Sequence, residues 1–179
     1  MDAPRVVVAG VSGCGKSTVG AALAARLGLT FVDGDDYHSA ANIAKMAAGT
    51  PLDDADRADW LDRIAARLAQ PGGLVLACSA LRRRYRDRLR AAAPGVIFVF
   101  LEGDYATIAR RLSGREGHFL TDSGLLQSQF EALEPPTEPG CWRIPVDQPP
   151  EAVLDAALAA VDRALRAEAP EGAAAKARG

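Results

Sequence analysis

A three-layer α/β fold, with helices on both faces of a parallel sheet of about five strands, is what this 179-residue sequence predicts. Three observations lead there. Short β-branched, apolar runs alternate with longer segments whose apolar residues recur every three or four positions. The short runs are continuously apolar rather than alternating, which is the pattern of strands covered on both faces. The first run ends in a glycine-rich turn that passes straight into a helical pattern, so strand, turn and helix follow in the order a parallel βαβ unit requires.

Taken in order, residues 5–10 (Arg-Val-Val-Val-Ala-Gly) are the first strand. Lys16–Leu27 reads as an amphipathic helix, because Val19, Leu23 and Leu27 recur every four residues and Gly28 supplies the stop. Residues 30–33 form a second short strand that ends in acid. Residues 40–48 look helical, with Gly49 past their end and Pro51 restarting the chain, and Trp60, Ile64 and Leu68 mark another helix stripe. Residues 74–78 and 96–101 are buried-strand candidates, separated by an arginine-rich helical stretch over 81–92. Residues 105–112 read as a helix, 113–119 as a polar, glycine-bearing loop of the kind that forms lids, and 125–133 as a helix again. Residues 141–146 supply the last strand, and Leu154, Leu158, Val161 and Leu165 the stripe of a closing helix. The expected organisation is a single domain over 1–168 with a lid at about 113–123 and a disordered Ala/Gly/charged tail over 169–179.

Composition narrows the function. A net charge of −2 repels nucleic acid, so any anion site has to be built locally. No apolar run approaches the roughly 18 residues that span a bilayer, and the N-terminus lacks a basic, then apolar, leader pattern. A cytoplasmic protein without membrane or nucleic-acid partners is expected. Cys14, Cys78 and Cys141 are widely spaced without a CxxC pair, which predicts small buried thiols rather than a zinc site.

The strongest chemical signal is Gly10-Val-Ser12-Gly13-Cys14-Gly15-Lys16-Ser17, which fits G-x-x-x-x-G-K-[ST] between a predicted strand and a predicted helix. In this P-loop, glycines let backbone N–H groups turn inward around a β-phosphate, Lys16 bridges β and γ oxygens, and the Ser17 hydroxyl ligates Mg²⁺. ATP and Mg²⁺ are therefore the expected cofactors, on a P-loop NTPase fold. Asp33 and Asp35 follow the second strand and emerge at the same sheet edge. One can hold Mg²⁺ and the other can accept a proton from an attacking hydroxyl; Asp33 is assigned the first task and Asp35 the second, an assignment that residue type leaves exchangeable. The strand over 74–78 is followed by Ser79 rather than an acid, which moves metal binding toward Asp33.

His38 and Asn42 stand one helical turn apart and could line a polyol pocket, with Lys45 and Met46 beyond them; by type alone His38 fits a structural role equally well, and Lys45 a solvated surface. Arg82, Arg83, Arg84, Arg86, Arg88 and Arg90 decorate one helix, most of them facing water, with Arg82 the member expected to reach the pocket. Arg110, Arg111 and Arg115 lead into the glycine-bearing loop, which suits a lid that shuts out water and stabilises charge on a transferring phosphoryl group.

Beyond the P-loop, the segments Asp33-Gly-Asp35 with His38, Asn42-Ile-Ala-Lys45-Met46, Pro51-Leu-Asp-Asp54 with Arg57 and Trp60, Cys78-Ser-Ala-Leu81 with Tyr85-Arg-Asp87, Gly117-His118-Phe119, and Ser128-Gln-Phe130 with Leu133-Glu134 form a joint pattern. Together they resemble the bacterial gluconate kinases of the small P-loop type, over roughly residues 6–161. The resemblance implies a nucleoside-monophosphate-kinase-like fold, also related to shikimate kinases, and a homodimer. It implies ATP-dependent phosphorylation of D-gluconate at its terminal hydroxyl. By that likeness Gly10, Ser12, Gly13, Cys14, Gly15, Lys16, Ser17, Thr18 and Arg111 hold ATP. Asp35, His38, Lys45, Arg57, Arg82 and His118 meet the acceptor, and Lys16, Asp35 and Arg115 act in catalysis. The turn at 146–149 resembles the one that borders adenine in such kinases. Arg82 and Arg83 stand where lysines are common in the family, but arginine also pairs a carboxylate. Shikimate or nucleotide kinases are the nearest rivals. A GTPase-like switch is the rival of another class, and the sequence lacks the Asn-Lys-x-Asp segment it would need.

Overall fold

Because residues 6–9 are apolar on both faces, their strand can sit only where helices cover the sheet on both sides, and it does. The computed structural model describes residues 3–113 and 123–168. In chain order these form β1 (Arg5–Ala9), α1 (Lys16–Leu27), β2 (Phe31–Asp33), a 3₁₀ turn (Gly34–Tyr37), α2 (Ala40–Ala47), α3 (Asp54–Ala69), β3 (Leu74–Ala77), α4 (Arg83–Ala92), β4 (Ile97–Glu102), α5 (Tyr105–Ser113), α6 (Ser123–Ala132), β5 (Cys141–Pro145) and α7 (Pro150–Glu168). The five strands are all parallel, in the order β2-β3-β1-β4-β5. Val7 is matched with Leu76 on one side and Phe98 on the other. The central strand thus delivers its C-terminal end, where the phosphate-binding turn begins, between β3 and β4.

Alternation along β1 divides the core in two. Val6 and Val8 pack with Val75, Val99 and the helices α1 and α7, which supply Leu23, Ala157 and Val161. Val7 and Ala9 face the other way, onto Trp60, Ile64 and Leu68 of α3 and Leu89 of α4. Each fully buried Leu, Ile or Phe contributes roughly 1.5–3 kcal/mol, so both layers hold the sheet against its helices.

Three expectations shift. The closing helix turns about its axis relative to the predicted stripe: Val153, Ala157, Ala160, Val161 and Ala164 are buried, whereas Leu165 is exposed. Small residues let α7 approach the sheet and α1 closely, and the leucines flank the contact. The arginine-rich helix begins at Arg83, not Leu81, because the Arg83 N–H is capped by the Glu134 carboxylate at 2.7 Å, a partner 51 residues away. Arg83, Arg84 and Arg88 stay exposed as expected, and Arg86 does not. Arg84 and Arg88 pair with Asp54 and Asp62 of α3, and Arg86 is buried against Glu138. Residues 114–122 of the expected lid, with Arg115 and His118, and the expected tail 169–179 lie outside the described residues.

Candidate active site

The site starts where β1 ends. Gly10 has φ 144°, and a Cβ there would stand 2.6 Å from the Leu101 carbonyl oxygen and 2.7 Å from Cys14 Sγ, so only glycine fits. Gly15, at φ 102°, is the residue before α1, and nothing lies within 4 Å of where its Cβ would be. The loop therefore wraps an open cradle at the amino end of a 12-residue helix, where backbone N–H groups and the helix dipole favour an anion.

Lys16 folds back along the loop, its Nζ donating to the Val11 carbonyl at 3.0 Å. One turn into the site, Ser17 Oγ donates to Asp33 Oδ2 at 2.8 Å, and the other oxygen, Asp33 Oδ1, accepts the Asp35 N–H at 3.0 Å. Asp33 is thus both the cap of the 3₁₀ turn and the neighbour of the P-loop hydroxyl. A hydroxyl beside a carboxylate is a hard-oxygen pair of the kind Mg²⁺ takes, with phosphate oxygens and water completing its shell. The donor set fits that cation.

Two cavities open on either side of the loop. The larger, about 360 Å³, is lined by Gly13, Gly15 and Thr18 together with Arg111, Val146 and Gln148. The smaller, about 90 Å³, is lined by Ser12, Lys16, Asp35, His38, Arg57 and residues of α6. Ser12 and Lys16 stand on the side of the small cavity, Gly13 to Gly15 on the side of the large one. The guanidinium of Arg111 donates to the Val146 carbonyl, which ties α5 to the turn after β5 at the mouth of the larger space.

The small cavity has a built polar wall. The His38 side chain, 6% exposed, stacks on Trp60 with ring centroids 4.6 Å apart and planes at 9°. Trp60 is held by its Nε1–H donating to the Gly34 carbonyl at 2.7 Å, inside the 3₁₀ turn that carries Asp35. Asn42 Nδ2 donates to the Asp56 carbonyl at 2.7 Å, which fixes the amide's orientation, and lies 3.4 Å from His38 Nδ1. That ring nitrogen consequently accepts, and the proton of neutral imidazole sits on Nε2, 3.9 Å from Asp35 Oδ1. Burial, and after it the Arg57 charge, push the His38 pKa below its ordinary value against the opposing pull of Asp35. The side chain is neutral at pH 7. Arg57 spends one of its five donors on the Leu52 carbonyl, at 2.5 Å.

The thiols take no part: burial raises Cys14, pushes Cys78 up to about 12 and Cys141 up to about 11, so none is a thiolate at neutral pH.

Comparison with known proteins agrees with this geometry. A family described as an AAA domain matches residues 6–136. The thermosensitive gluconokinase of Escherichia coli K12 is 46% identical over 142 residues, covering 76% of this chain and 74% of that protein. The crystal structure of a gluconokinase from Sinorhizobium meliloti 1021 superimposes with a TM-score of 0.85 at 47% identity, over 89% of this chain and 92% of that one. The chain belongs to the gluconokinase family. A shikimate kinase from Acinetobacter baumannii, at 16% identity and TM-score 0.56 over 93% of this chain and 96% of its own, shares the fold alone.

Within this gluconokinase-family chain, the residues anticipated from sequence divide into those the fold brings together and those it does not. Gly10 to Thr18, Asp33, Asp35, His38, Arg57 and Arg111 converge on the loop and its two cavities. Lys45 and Arg82 line neither. Lys45 Nζ donates to both oxygens of Asp56, at 2.7 and 2.8 Å. Arg82 Nη1 lies 3.9 Å from Asp54 Oδ2, and its Nε is buried without a hydrogen-bond partner among the described residues. Gln129, present in the sequence pattern only as part of Ser128-Gln-Phe130 and given no role there, joins α6 to the P-loop through Ser12. Its signal is faint but present: a polar residue set among Leu125, Leu126, Phe130 and Leu133.

Proposed function

We propose that this protein transfers the γ-phosphoryl group of ATP to the 6-hydroxyl of D-gluconate, giving 6-phospho-D-gluconate, ADP and a proton. The single observation that carries the reading is the pair of cavities on either side of the P-loop, one at the helix terminus that favours phosphates and one, lined by Lys16, holding an exposed carboxylate, a buried neutral histidine and an arginine. Membership in the gluconokinase family supports the acceptor.

ATP lies in the larger cavity, its phosphates in the cradle from Gly10 to Ser17, where Gly13 and Gly15 supply backbone N–H groups while the Ser12 N–H is held by Gln129 and that of Cys14 by the Val11 carbonyl. Thr18 and Arg111 flank it, and the turn at Val146 and Gln148 borders the base. Ser17 and Asp33 are the residues that would hold Mg²⁺, whose charge, when it is bound with ATP, offsets that on the phosphate oxygens. Lys16 leaves the Val11 carbonyl to bridge β and γ oxygens. Gluconate enters the smaller cavity with its terminal hydroxyl toward Asp35, which accepts the proton as the oxygen attacks phosphorus. His38 donates Nε2–H to the polyol, and Arg57 pairs the carboxylate, Lys45 and Arg82 being engaged near Asp56 and Asp54 instead. Arg115 and His118, outside the described residues, are proposed to close over the transferring group. A cytoplasmic homodimer is the assembly proposed with this reading. Among the described residues no helix is long and apolar enough to cross a membrane.

The test is ADP release with ATP and Mg²⁺ against gluconate, related aldonates, shikimate and nucleoside monophosphates, with a no-acceptor control and mass identification of the product. Turnover on gluconate giving a monophosphate is expected. No turnover on gluconate, or release of ADP without acceptor, refutes the reading.

A further inference from the structure

Gln129 of α6 makes two hydrogen bonds of opposite sense to one residue of the phosphate loop. The Ser12 N–H donates to Gln129 Oε1 at 2.7 Å, and Gln129 Nε2 donates to Ser12 Oγ at 2.8 Å. The amide has one possible orientation, since exchanging its ends would set Nε2 against the Ser12 N–H, donor against donor. The partners are 117 residues apart in sequence, so the pairing is a product of tertiary structure alone.

Its place is the point at issue. Ser12 and Lys16 are the P-loop residues that line the acceptor cavity, whereas Gly13 to Gly15 line the nucleotide cavity. Ser12 therefore stands on the boundary that the phosphoryl group crosses. On the other side, Leu125, Ser128 and Gln129 all line the acceptor cavity, and their i, i+3, i+4 spacing puts them on one face of α6. A single helix face touches both the space for the acceptor and, through one bidentate amide, the loop that holds the donor. Because Ser12 Oγ accepts from Nε2, its own O–H is left to donate toward a bound oxygen.

We infer that Gln129 is a positioning residue that couples the two substrate sites: an acceptor seated against α6 sets Ser12 and the donor-side loop, so that acceptor and nucleotide each bind more tightly in the presence of the other. By linkage the coupling is reciprocal. The inference rests on the assignment of the two cavities to ATP and gluconate.

The experiment measures gluconate affinity by calorimetry on the full chain, with and without the non-hydrolysable analogue β,γ-imido-ATP and Mg²⁺, alongside steady-state kinetics. The parent is expected to bind gluconate about 5-fold or more tighter with the analogue present, the lower end of ordinary coupling. Q129A brings that ratio to about one and lowers kcat by about tenfold, the scale of losing the hydrogen bonds that hold Ser12, with smaller changes in the singly measured affinities. Q129E keeps the acceptor for the Ser12 N–H but loses the donor to Oγ, and S12A removes Oγ from the other side. Both lose part of the coupling, and S12A tests the same contact should Q129A fold poorly. The S12A/Q129A double variant loses no more of the coupling than Q129A does, because the two changes remove one shared contact. A Q129A protein with parental kcat and coupling and only a lower melting temperature overturns the inference, leaving a structural tie. A parent that turns over gluconate with a coupling ratio near one overturns it while sparing the functional reading; a parent inactive on gluconate overturns both.

Discussion

Replacing Glu138 by Gln tests how the fold holds the acceptor cavity in place. Arg86 is 1% exposed and Glu138 9%, and Arg86 Nε donates to Glu138 Oε1 at 2.5 Å. The same guanidinium donates from Nη1 to the carbonyls of Ala80 and Leu81, at 3.0 and 3.1 Å. Those carbonyls belong to the turn after β3, where Ala80 takes a left-handed φ of 39° and Ser79 lines the acceptor cavity while accepting the Gly10 N–H at 3.2 Å. A buried ion pair thus secures a strained turn that touches both the P-loop and the acceptor space. Burial by itself would raise the Glu138 pKa, but the Arg86 hydrogen bond, backbone N–H groups and the Arg86 charge overcome it and hold the value at about 2 instead of 4.5. At roughly 1.4 kcal/mol per pKa unit that depression is worth about 3 kcal/mol. This agrees with the roughly 3–5 kcal/mol lost when one partner of a buried pair is removed. For a chain of this length the change lowers Tm by roughly 6–12 °C. Urea unfolding at pH 7 reads it directly. The sign with pH follows from a depressed carboxylate: the stabilisation is complete above about 4.5 and vanishes as pH falls through about 2, so parent and variant converge in acid. The KM for gluconate is expected to rise as the turn loosens. An E138Q protein within about 0.5 kcal/mol of the parent at pH 7 refutes the argument.

Two more predictions concern the reaction. Asp35→Asn is expected to retain ATP binding and lose roughly 10²-fold or more in kcat, because the side chain is proposed to take the acceptor proton; collapse of ATP binding with unchanged turnover per bound ATP would make Asp35 a metal residue instead. For His38, an NMR titration should give a midpoint below 6.5, the direction that burial and Arg57 impose. Its neutral form is the folded one, so its contribution to stability is present above 6.5 and declines as pH falls through the lowered midpoint, with kcat/KM for gluconate falling alongside. A midpoint at or above 6.5 contradicts the stacked, partly desolvated ring.

Much of the site was legible because its chemistry is local in sequence. The P-loop needs glycines, a lysine and a hydroxyl at fixed short spacing, and Asp33 and Asp35 follow a short strand of the parallel sheet, at whose C-terminal edge ligands bind. His38 was legible as a candidate for a similar reason, lying within five residues of Asp33. Arg82 and Lys45 were harder. Arg82 follows β3 and Lys45 lies on α2, and only the positions of Asp54 and Asp56 decide that each stands beside a carboxylate outside the cavities. Residue type gives no measure of which nearby carboxylate a long, flexible side chain will find.

By itself, then, the sequence determined the fold class, the strand set and the phosphate-binding turn. Two-sided apolar runs, helical periodicity and glycines at left-handed positions are short-range constraints that leave few alternatives. Tertiary structure alone decided which face α7 buries, that Arg86 goes inside to meet Glu138, that Glu134 caps α4, and that Gln129 grips Ser12. Each of these depends on a partner 51 or more residues away or on the packing of a helix against the sheet. Such pairings are chosen by the geometry of the assembled layers, where an unpaired buried donor or charge costs more than the pair.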